Sequence, residues 1–409
     1  MSLIGALSLL AYRGALKVIL HSAFCILHSA LTPLRGLFLL ATRHSVQAPS
    51  ALVPLRQFCI LHFAFPSSLI KSFPFSALRF TFFYYLCFVA KYDDIFLIGS
   101  EAEFEREALR LFRYQAVYCK PYAEYVRLLG IEPAEVMRVE DIPMLPIELF
   151  KSHKLYCGDG EPQMVFTSSA TTGMVQSKHY VADLALYERA FMEAFRHFYG
   201  EPKECGIYAL LPSYLEREGS SLVYMAERLI AESCGGGFYL NDYDKLLRDM
   251  AHDPNPKILL GVTYALLDLA ENYAPHLENT VVMETGGMKG RRKELPKSEL
   301  HKILCSAFGV ERIHSEYGMA ELMSQAYSFG EGLFRTPKWM KVLVRDVNNP
   351  FARLGAGRRG GLDIIDLANR YSCAFIATQD MGVCYADGSF RIEGRISQSD
   401  IRGCNLLVQ

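Results

Sequence analysis

The first acidic residue of this 409-residue chain is Asp93. Residues 1–92 carry basic side chains such as Arg13, Lys17, Arg35, Arg56 and Lys71 but no aspartate or glutamate, so all 44 acidic residues lie in the remainder. A charge break of that kind separates differently built segments, and it predicts a folded body that begins near residue 92. The leading segment is also repetitive: Ile19-Leu20-His21-Ser22-Ala23 returns as Ile26-Leu27-His28-Ser29-Ala30, and Ile60-Leu61-His62 follows. Low-complexity sequence rarely builds a packed core. A membrane span needs about 18 or more uncharged apolar residues. Here basic residues interrupt every run, and the longest, Val18 to Leu34, holds two histidines and a proline. A secretory signal would put Arg13 and Lys17 ahead of the apolar stretch, not inside it. Residues 1–91 are therefore expected to stand outside the fold, as translation from a start codon set too far upstream or, failing that, as a peripheral basic anchor. No firm membrane span is expected.

Across the whole chain 43 basic residues face 44 acidic ones, for a net charge of −1, which excludes a polycation built to bind nucleic acid. A hydrophobic content of 51% excludes a disordered chain. Eleven cysteines are scattered with no C-x-x-C spacing, which argues against a disulfide scaffold or a zinc knuckle and for reduced thiols in the cytoplasm.

The body reads as an α/β enzyme core over residues 92–392, with a short stub at 393–409. From Ala102 to Leu129, Phe104, Ala108, Leu111, Phe112, Tyr122, Tyr125 and Leu129 recur at helical spacing opposite charged residues, which predicts two amphipathic helices. Asp141-Ile-Pro-Met-Leu-Pro-Ile-Glu148 must run extended because of its two prolines. Candidate strands are Gln163–Phe166, Gly206–Leu211, Ile258–Gly261, Thr280–Glu284, Arg312–Ser315 and Phe375–Thr378, each ending in a polar or glycine turn with a helical pattern after it. That alternation predicts a parallel-rich sheet whose strand-end turns bind ligand.

Four such turns carry chemistry. Phe166-Thr-Ser-Ser-Ala-Thr-Thr-Gly173, with Lys178 close behind, offers hydroxyls and freed backbone N–H groups able to wrap a polyphosphate; a helix-capping surface turn is the other reading. Glu284-Thr-Gly-Gly287 lets a ring or phosphate approach the backbone closely. Ser315-Glu-Tyr-Gly-Met-Ala-Glu321 puts a ring able to stack on a base four residues before a carboxylate able to hold Mg²⁺. Thr378-Gln-Asp380, followed by Gly394-Arg395, offers a strand-end carboxylate for ribose hydroxyls and an arginine for sugar or phosphate. The serines and histidines Ser168, Ser169, His179 and His314 leave a serine hydrolase open, although no G-x-S-x-G elbow is present.

In this order the four turns resemble the adenylate-forming superfamily of acyl and aryl ligases. Finer features, Ile142-Pro-Met-Leu-Pro-Ile-Glu-Leu-Phe-Lys151, Glu284-Thr-Gly-Gly-Met-Lys-Gly290, Glu316-Tyr-Gly-Met-Ala-Glu321 with Ser324-Gln325, and Ser399-Asp-Ile-Arg-Gly-Cys404, resemble its acyl-protein synthetase (LuxE) family over residues 92–409. The resemblance implies the large N-terminal domain of an adenylate-forming ligase that uses ATP and Mg²⁺ to convert a fatty acid to acyl-AMP. It also implies transfer to an enzyme cysteine and delivery to an acyl reductase partner. By the same resemblance Ser168, Ser169, Thr171, Thr172 and Gly173 form the phosphate loop, with Thr172 and Lys178 taking part in catalysis. Gly286 and Gly287 form the adenine turn, and Tyr317 and Gly318 belong to the Tyr-Gly-x-Thr-Glu motif. Glu321 is the metal ligand, Asp380 the ribose carboxylate and Arg395 part of the hinge. Because only Ile396 to Gln409 follow that hinge, a small C-terminal domain is expected to be absent and Cys404, two residues from Arg402, is the expected acyl acceptor. The remaining cysteines after residue 92 are expected to be packing or surface thiols. Ala170, Ala320 and Gln379 depart from the superfamily pattern, which leaves a nucleotide-binding module without turnover, or a CoA-type ligase, as alternatives.

Overall fold

The computed structural model describes residues 92–168, 175–211, 219–286 and 295–396, all within the unit Phe80–Gln409. The expectations for residues 1–91 and for the tail after Ile396 lie outside the described residues.

Ser100 starts the first helix, α1 (Glu101–Tyr118). Its side chain accepts from the Glu103 backbone N–H, and the Glu103 carboxylate reaches back to the Ser100 N–H, a capping box that satisfies both orphan donors. Cys119 then turns the chain into α2 (Lys120–Leu128), which has a proline in its first turn. These are the two helices the periodicity predicts, and their apolar faces, including Phe104, Leu111, Phe112 and Tyr122, are buried. The Tyr122 hydroxyl donates to Pro143 O at 2.7 Å and anchors the proline-stiffened segment, which contributes a two-residue strand, β1 (Leu145–Pro146), and a single helical turn, α3 (Leu149–Ser152).

Next comes a separate antiparallel hairpin of β2 (Met164–Thr167) and β3 (Lys178–Val181), then α4 (Leu184–Tyr199), capped by the Asp183 side chain. The parallel half of the main sheet follows. It comprises β4 (Gly206–Leu210), α5 (Ser221–Glu232), β5 (Gly235–Phe238), α6 (Tyr243–His252), β6 (Lys257–Val262), α7 (Thr263–Asn272), β7 (Thr280–Thr285), α8 (Lys297–Phe308) and β8 (His314–Tyr317). Its spatial order is β5-β4-β6-β7-β8, all parallel. Every residue of β4 and β6 is buried, as expected of central strands covered on both faces. At the sheet edge a Cβ on Gly236, whose φ is 101°, would stand 1.9 Å from Ile207 O, so only glycine permits this pairing.

Beyond β8 the sheet turns antiparallel through β9 (Ala326–Ser328), β10 (Leu333–Arg335), β11 (Met340–Arg345), β12 (Arg359–Asp366), β13 (Phe375–Cys384) and β14 (Phe390–Arg395), in the order β9-β10-β14-β13-β12-β11. With β1, which pairs with β13, the sheet has 12 strands among the described residues. The fold is thus α/β with a parallel-rich sheet and flanking helices, as predicted.

Three details correct the sequence reading. The strand placed at Gln163–Phe166 belongs to the hairpin, not to the parallel sheet, because Met164–Thr167 pairs with Lys178–Val181. β8 is followed by a strand rather than a helix. The strand predicted to end at Thr378 runs on to Cys384, so Asp380 stands inside a strand instead of in a turn. It does so because β13 exchanges one neighbour for another: Ile376 and Ala377 pair with β1, whereas Asp380 and the residues beyond it pair with β14 across a register shift at Met381/Gly382, while β12 pairs with both stretches on the other side.

Candidate active site

Tyr317 ends the last parallel strand, and Asp380 stands in the middle of an antiparallel one. The Tyr317 hydroxyl nevertheless donates to Asp380 Oδ2 at 2.7 Å. Burial, and then the Asp380 charge, push the tyrosine hydroxyl well above its ordinary range, so it remains a donor at any working pH. Its ring packs edge-on against Phe334 and Phe390, at centroid distances of 5.9 and 5.8 Å. Arg395, directly opposite Asp380 in the β13/β14 register, brings its Nε to 3.5 Å from Asp380 Oδ1 while the rest of its side chain remains exposed. An ionised carboxylate has about four acceptor positions. Tyr317 takes one of these and Arg395 approaches another, so Asp380 keeps room for further donors.

The strand that carries Asp380 is braced from behind. The Asp380 N–H donates to Thr378 Oγ1, whose own hydroxyl donates to Leu362 O. Arg345 donates to Thr378 O and to Leu362 O, and the buried Asp363 carboxylate is held between Arg345 and Arg353. Gln379 donates to Glu148, and the Ile147 N–H donates to Ala377 O at 3.1 Å, so the segment before α3 is tied along the site.

Glu321 lies on the turn after Tyr317 and is 5% exposed. Burial pushes its carboxyl up, while the Ser177 hydroxyl and the charges of Lys151 and Arg395 pull it back. The turn is fixed from three sides. His179 Nδ1 is 2.8 Å from Ala320 O and its Nε2 is 3.0 Å from Asn369 Oδ1, while Asn369 Nδ2 donates to Glu321 O at 2.8 Å. Burial lowers the imidazole to about 4, so at pH 7 His179 carries one N–H and donates to only one of Ala320 O and Asn369 Oδ1 at a time. Asp366 accepts from Met323 N, Ser324 N and Ser324 Oγ at 2.7–3.0 Å, which pins the following residues to the end of β12. Among the described residues no group of three His, Cys, Asp or Glu could hold a metal. One buried carboxylate, completed by substrate oxygens and water, is nevertheless the donor set that Mg²⁺ takes in phosphate sites, and Glu321 fits it.

Gly286 follows β7 directly. Two residues earlier on β7, Glu284 Oε1 accepts from Ser315 Oγ at 2.9 Å and lies 2.7 Å from Lys297 Nζ and 3.8 Å from His301 Nε2, while Oε2 accepts from Thr263 Oγ1 at 3.1 Å. Burial alone would raise this carboxyl, but His301, Lys297 and Ser315 outweigh it and hold the pKa at about 2. β7 therefore carries a fixed negative charge two residues before Gly286.

Of the residues singled out from sequence, the structure joins Tyr317, Asp380, Arg395 and Glu321 and places Gly286 and Gly318 at the ends of neighbouring strands. Ser168 closes the hairpin: its Oγ accepts from Ser177 N at 3.0 Å. Lys178 stands exposed on β3 opposite Thr167. Ser169, Thr171, Thr172, Gly173, Gly287 and Cys404 lie outside the described residues. The hydrolase reading gains no support, since His179 contacts Ala320 and Asn369, and His314 contacts the Tyr199 hydroxyl. Cys119, Cys205 and Cys373 are buried, Cys157, Cys305 and Cys384 half-buried, and Cys234 exposed. Sequence reasoning missed Ser177, the His179–Asn369 brace and the Glu284 cluster. It flagged the segment ending at Lys151 without assigning it a role.

No protein-family model and no curated protein matches the sequence. Solved structures do match. A structure of 2-hydroxyisobutyryl-CoA ligase in the postadenylation state with R3-HIB-AMP aligns with a TM-score of 0.55 at 16% identity, covering 72% of this chain and 68% of that one. The open conformation of the same ligase with 2-HIB-AMP and CoA gives 0.54 at 15% identity, covering 71% and 74%. ATP-bound MatB from Rhodopseudomonas palustris gives 0.44 at 18% identity over 58% of this chain, which spans 49%, about half, of the MatB length. The sheet that turns from parallel to antiparallel beside Tyr317 is thus the architecture of the large N-terminal domain of the adenylate-forming ligases, and this chain has that fold.

Proposed function

We propose that this chain uses ATP to convert a long-chain fatty acid to acyl-AMP and passes the acyl group to Cys404 as a thioester, for delivery to an acyl reductase. The observation that carries the reading is the Tyr317–Asp380–Arg395 junction beside the buried Glu321. Residues from two halves of the sheet, 63 apart in sequence at the Tyr–Asp bond, meet at one point in a fold shared with ligases crystallised with acyl-AMP.

In this reading Asp380 accepts the ribose hydroxyls at the positions Tyr317 and Arg395 leave open. Gly286, Gly287, Tyr317 and Gly318 line the adenine, and Ser168, Ser169, Thr171, Thr172, Gly173 and Lys178 donate to the phosphates. Mg²⁺, held by Glu321, supplies neutralisation of the phosphate charge. The acid's carboxylate attacks the α-phosphorus, forming a C–O–P anhydride and releasing pyrophosphate. The Cys404 thiolate, its proton lost to solvent, then attacks the acyl carbon and expels AMP. Arg402 favours that thiolate. The 2-hydroxyisobutyryl-CoA ligase structures, which hold CoA, support a second reading in which CoA is the acceptor.

Fatty-acid-dependent ATP–pyrophosphate exchange by the purified full chain tests the first step. Nucleotide binding without exchange would leave a binding module instead. Radiolabelled fatty acid with ATP tests the second: Cys404→Ser should abolish covalent labelling and preserve exchange, whereas soluble acyl-CoA formed only when CoA is added selects the CoA reading.

A further inference from the structure

Glu316 has no part in the chemistry above, yet it sits between the ends of the two neighbouring strands that carry Gly286 and Tyr317. It is the residue before Tyr317-Gly318 on β8. Its register partner on β7 is Thr285, the residue before Gly286. Thr285 Oγ1 donates to Glu316 Oε2 at 2.6 Å. The other carboxylate oxygen folds back under the turn: a Cβ at Gly318 would stand 2.5 Å from Glu316 Oε1. One side chain therefore touches the last residue before the Gly286 turn and the glycine of the Tyr317 turn, and it is 6% exposed.

We infer that Glu316 is a positioning residue, a latch that holds the Gly286 turn and the Tyr317–Gly318 turn in register so that both can grip one nucleotide. The inference rests on the ligase reading for the identity of the nucleotide, while the latch itself rests on the two contacts.

Its surroundings make the latch sensitive to protonation. Glu284 of β7 and Lys297 of α8 act on it from the neighbouring strand and helix, His314 precedes it on β8, and the hydroxyls of Tyr187 and Tyr199 from α4 and of Tyr327 from β9 lie within its field. The Tyr327 hydroxyl is buried and has no hydrogen-bond partner among the described residues. Among those residues Glu316 forms no ion pair, and Thr285 is its one side-chain donor. Burial, then the Glu284 charge, raise the carboxyl to about 7 against the Thr285 bond and Lys297. The raised value means that the ionised form gains occupancy as pH climbs through about 7. A hydrogen bond to a carboxylate is roughly twice as strong as one to a neutral acid, so the latch tightens with rising pH by about fivefold in nucleotide affinity.

Calorimetric binding of MgATP to the full chain at pH 6 and pH 8, in wild type, Glu316→Gln, Thr285→Val and Thr285→Ser, tests this, with KM and kcat from exchange measured alongside. The wild type should gain about fivefold in affinity between the two pH values relative to Glu316→Gln, in which a neutral amide fills the same space. Thr285→Val should raise KM for ATP about fivefold with a smaller change in kcat and should remove the pH effect, while Thr285→Ser should restore both. Wild-type affinity that tracks Glu316→Gln at both pH values, with exchange intact, overturns the latch and spares the ligase reading. The predicted pH effect without exchange supports the latch and overturns that reading. Absence of nucleotide binding overturns both.

Discussion

Replacing Tyr317 by phenylalanine removes one oxygen and leaves the ring, with its edge-on contacts to Phe334 and Phe390, in place. What is lost is the 2.7 Å hydrogen bond to Asp380 Oδ2. Net contributions of hydrogen bonds to charged groups run at about 1.5–3 kcal/mol. The Asp380 side chain keeps 15% of its surface, so water replaces part of the donor, and the expected loss of stability is about 1–2 kcal/mol. The same hydroxyl fixes the direction in which the carboxylate presents its remaining lone pairs. A ribose held by Asp380 should therefore bind more weakly, with KM for ATP rising about five- to thirtyfold, since 1.4 kcal/mol is a factor of ten. Urea unfolding followed by fluorescence gives the first number and ATP–pyrophosphate exchange the second. Asp380→Asn should raise KM as well, and the double variant should fall short of the sum, as expected of directly coupled residues. If Tyr317→Phe loses 1–2 kcal/mol of stability while KM for ATP stays at the wild-type value, Asp380 is a structural carboxylate and the ribose assignment fails.

Two further predictions concern the supports of the site. Glu284 is held at about 2 against an ordinary 4.5, so its ionised form stabilises the fold above about pH 4.5 and that contribution fades as pH falls toward 2. Glu284→Gln should cost on the order of 3 kcal/mol at pH 7. Its gap from the wild type in urea unfolding should shrink steadily below pH 4.5, and a gap of equal size at pH 7 and pH 3 would count against the ion-pair argument. Asp363→Asn leaves Arg345 and Arg353 facing each other without a counter-charge and should cost about 3–5 kcal/mol. A loss under about 1 kcal/mol in the same measurement would mean that water already solvates the pair.

Much of the scaffold was legible because it obeys local rules. The spacing of Phe104, Leu111 and Tyr122 gave two helices, and the apolar runs at Gly206, Ile258 and Thr280 gave the central parallel strands with helices after them. The errors fall where the partner, not the segment, decides the structure. Nothing in Met164–Thr167 says that it pairs with Lys178–Val181, and nothing local in Gln379-Asp380 says that the strand continues, since its continuation is dictated by β14. Tyr317, Glu321, Asp380 and Arg395, which the structure brings together, each stand in a short polar motif visible in the sequence, although Asp380 and Arg395 lie in strands and not in turns. Ser177, Asn369 and Glu316 were not legible there, because their importance comes from contacts across the fold: the Ser177 hydroxyl reaches Glu321, Asn369 bridges to His179, and Glu316 reaches Thr285 on the next strand.

The change of strand direction at β8/β9 has an energetic meaning for whatever binds beside it. Tyr317 comes from the side of the sheet assembled by helix crossovers, Asp380 from the side assembled by hairpins, and their bond spans the seam between two differently constructed pieces. A molecule gripping both behaves as a staple across that seam. Small slippage between the pieces, too slight to alter either one's own outline, would then be felt first as weakened grip, so that affinity is the more delicate gauge of how well the two halves of the sheet are joined.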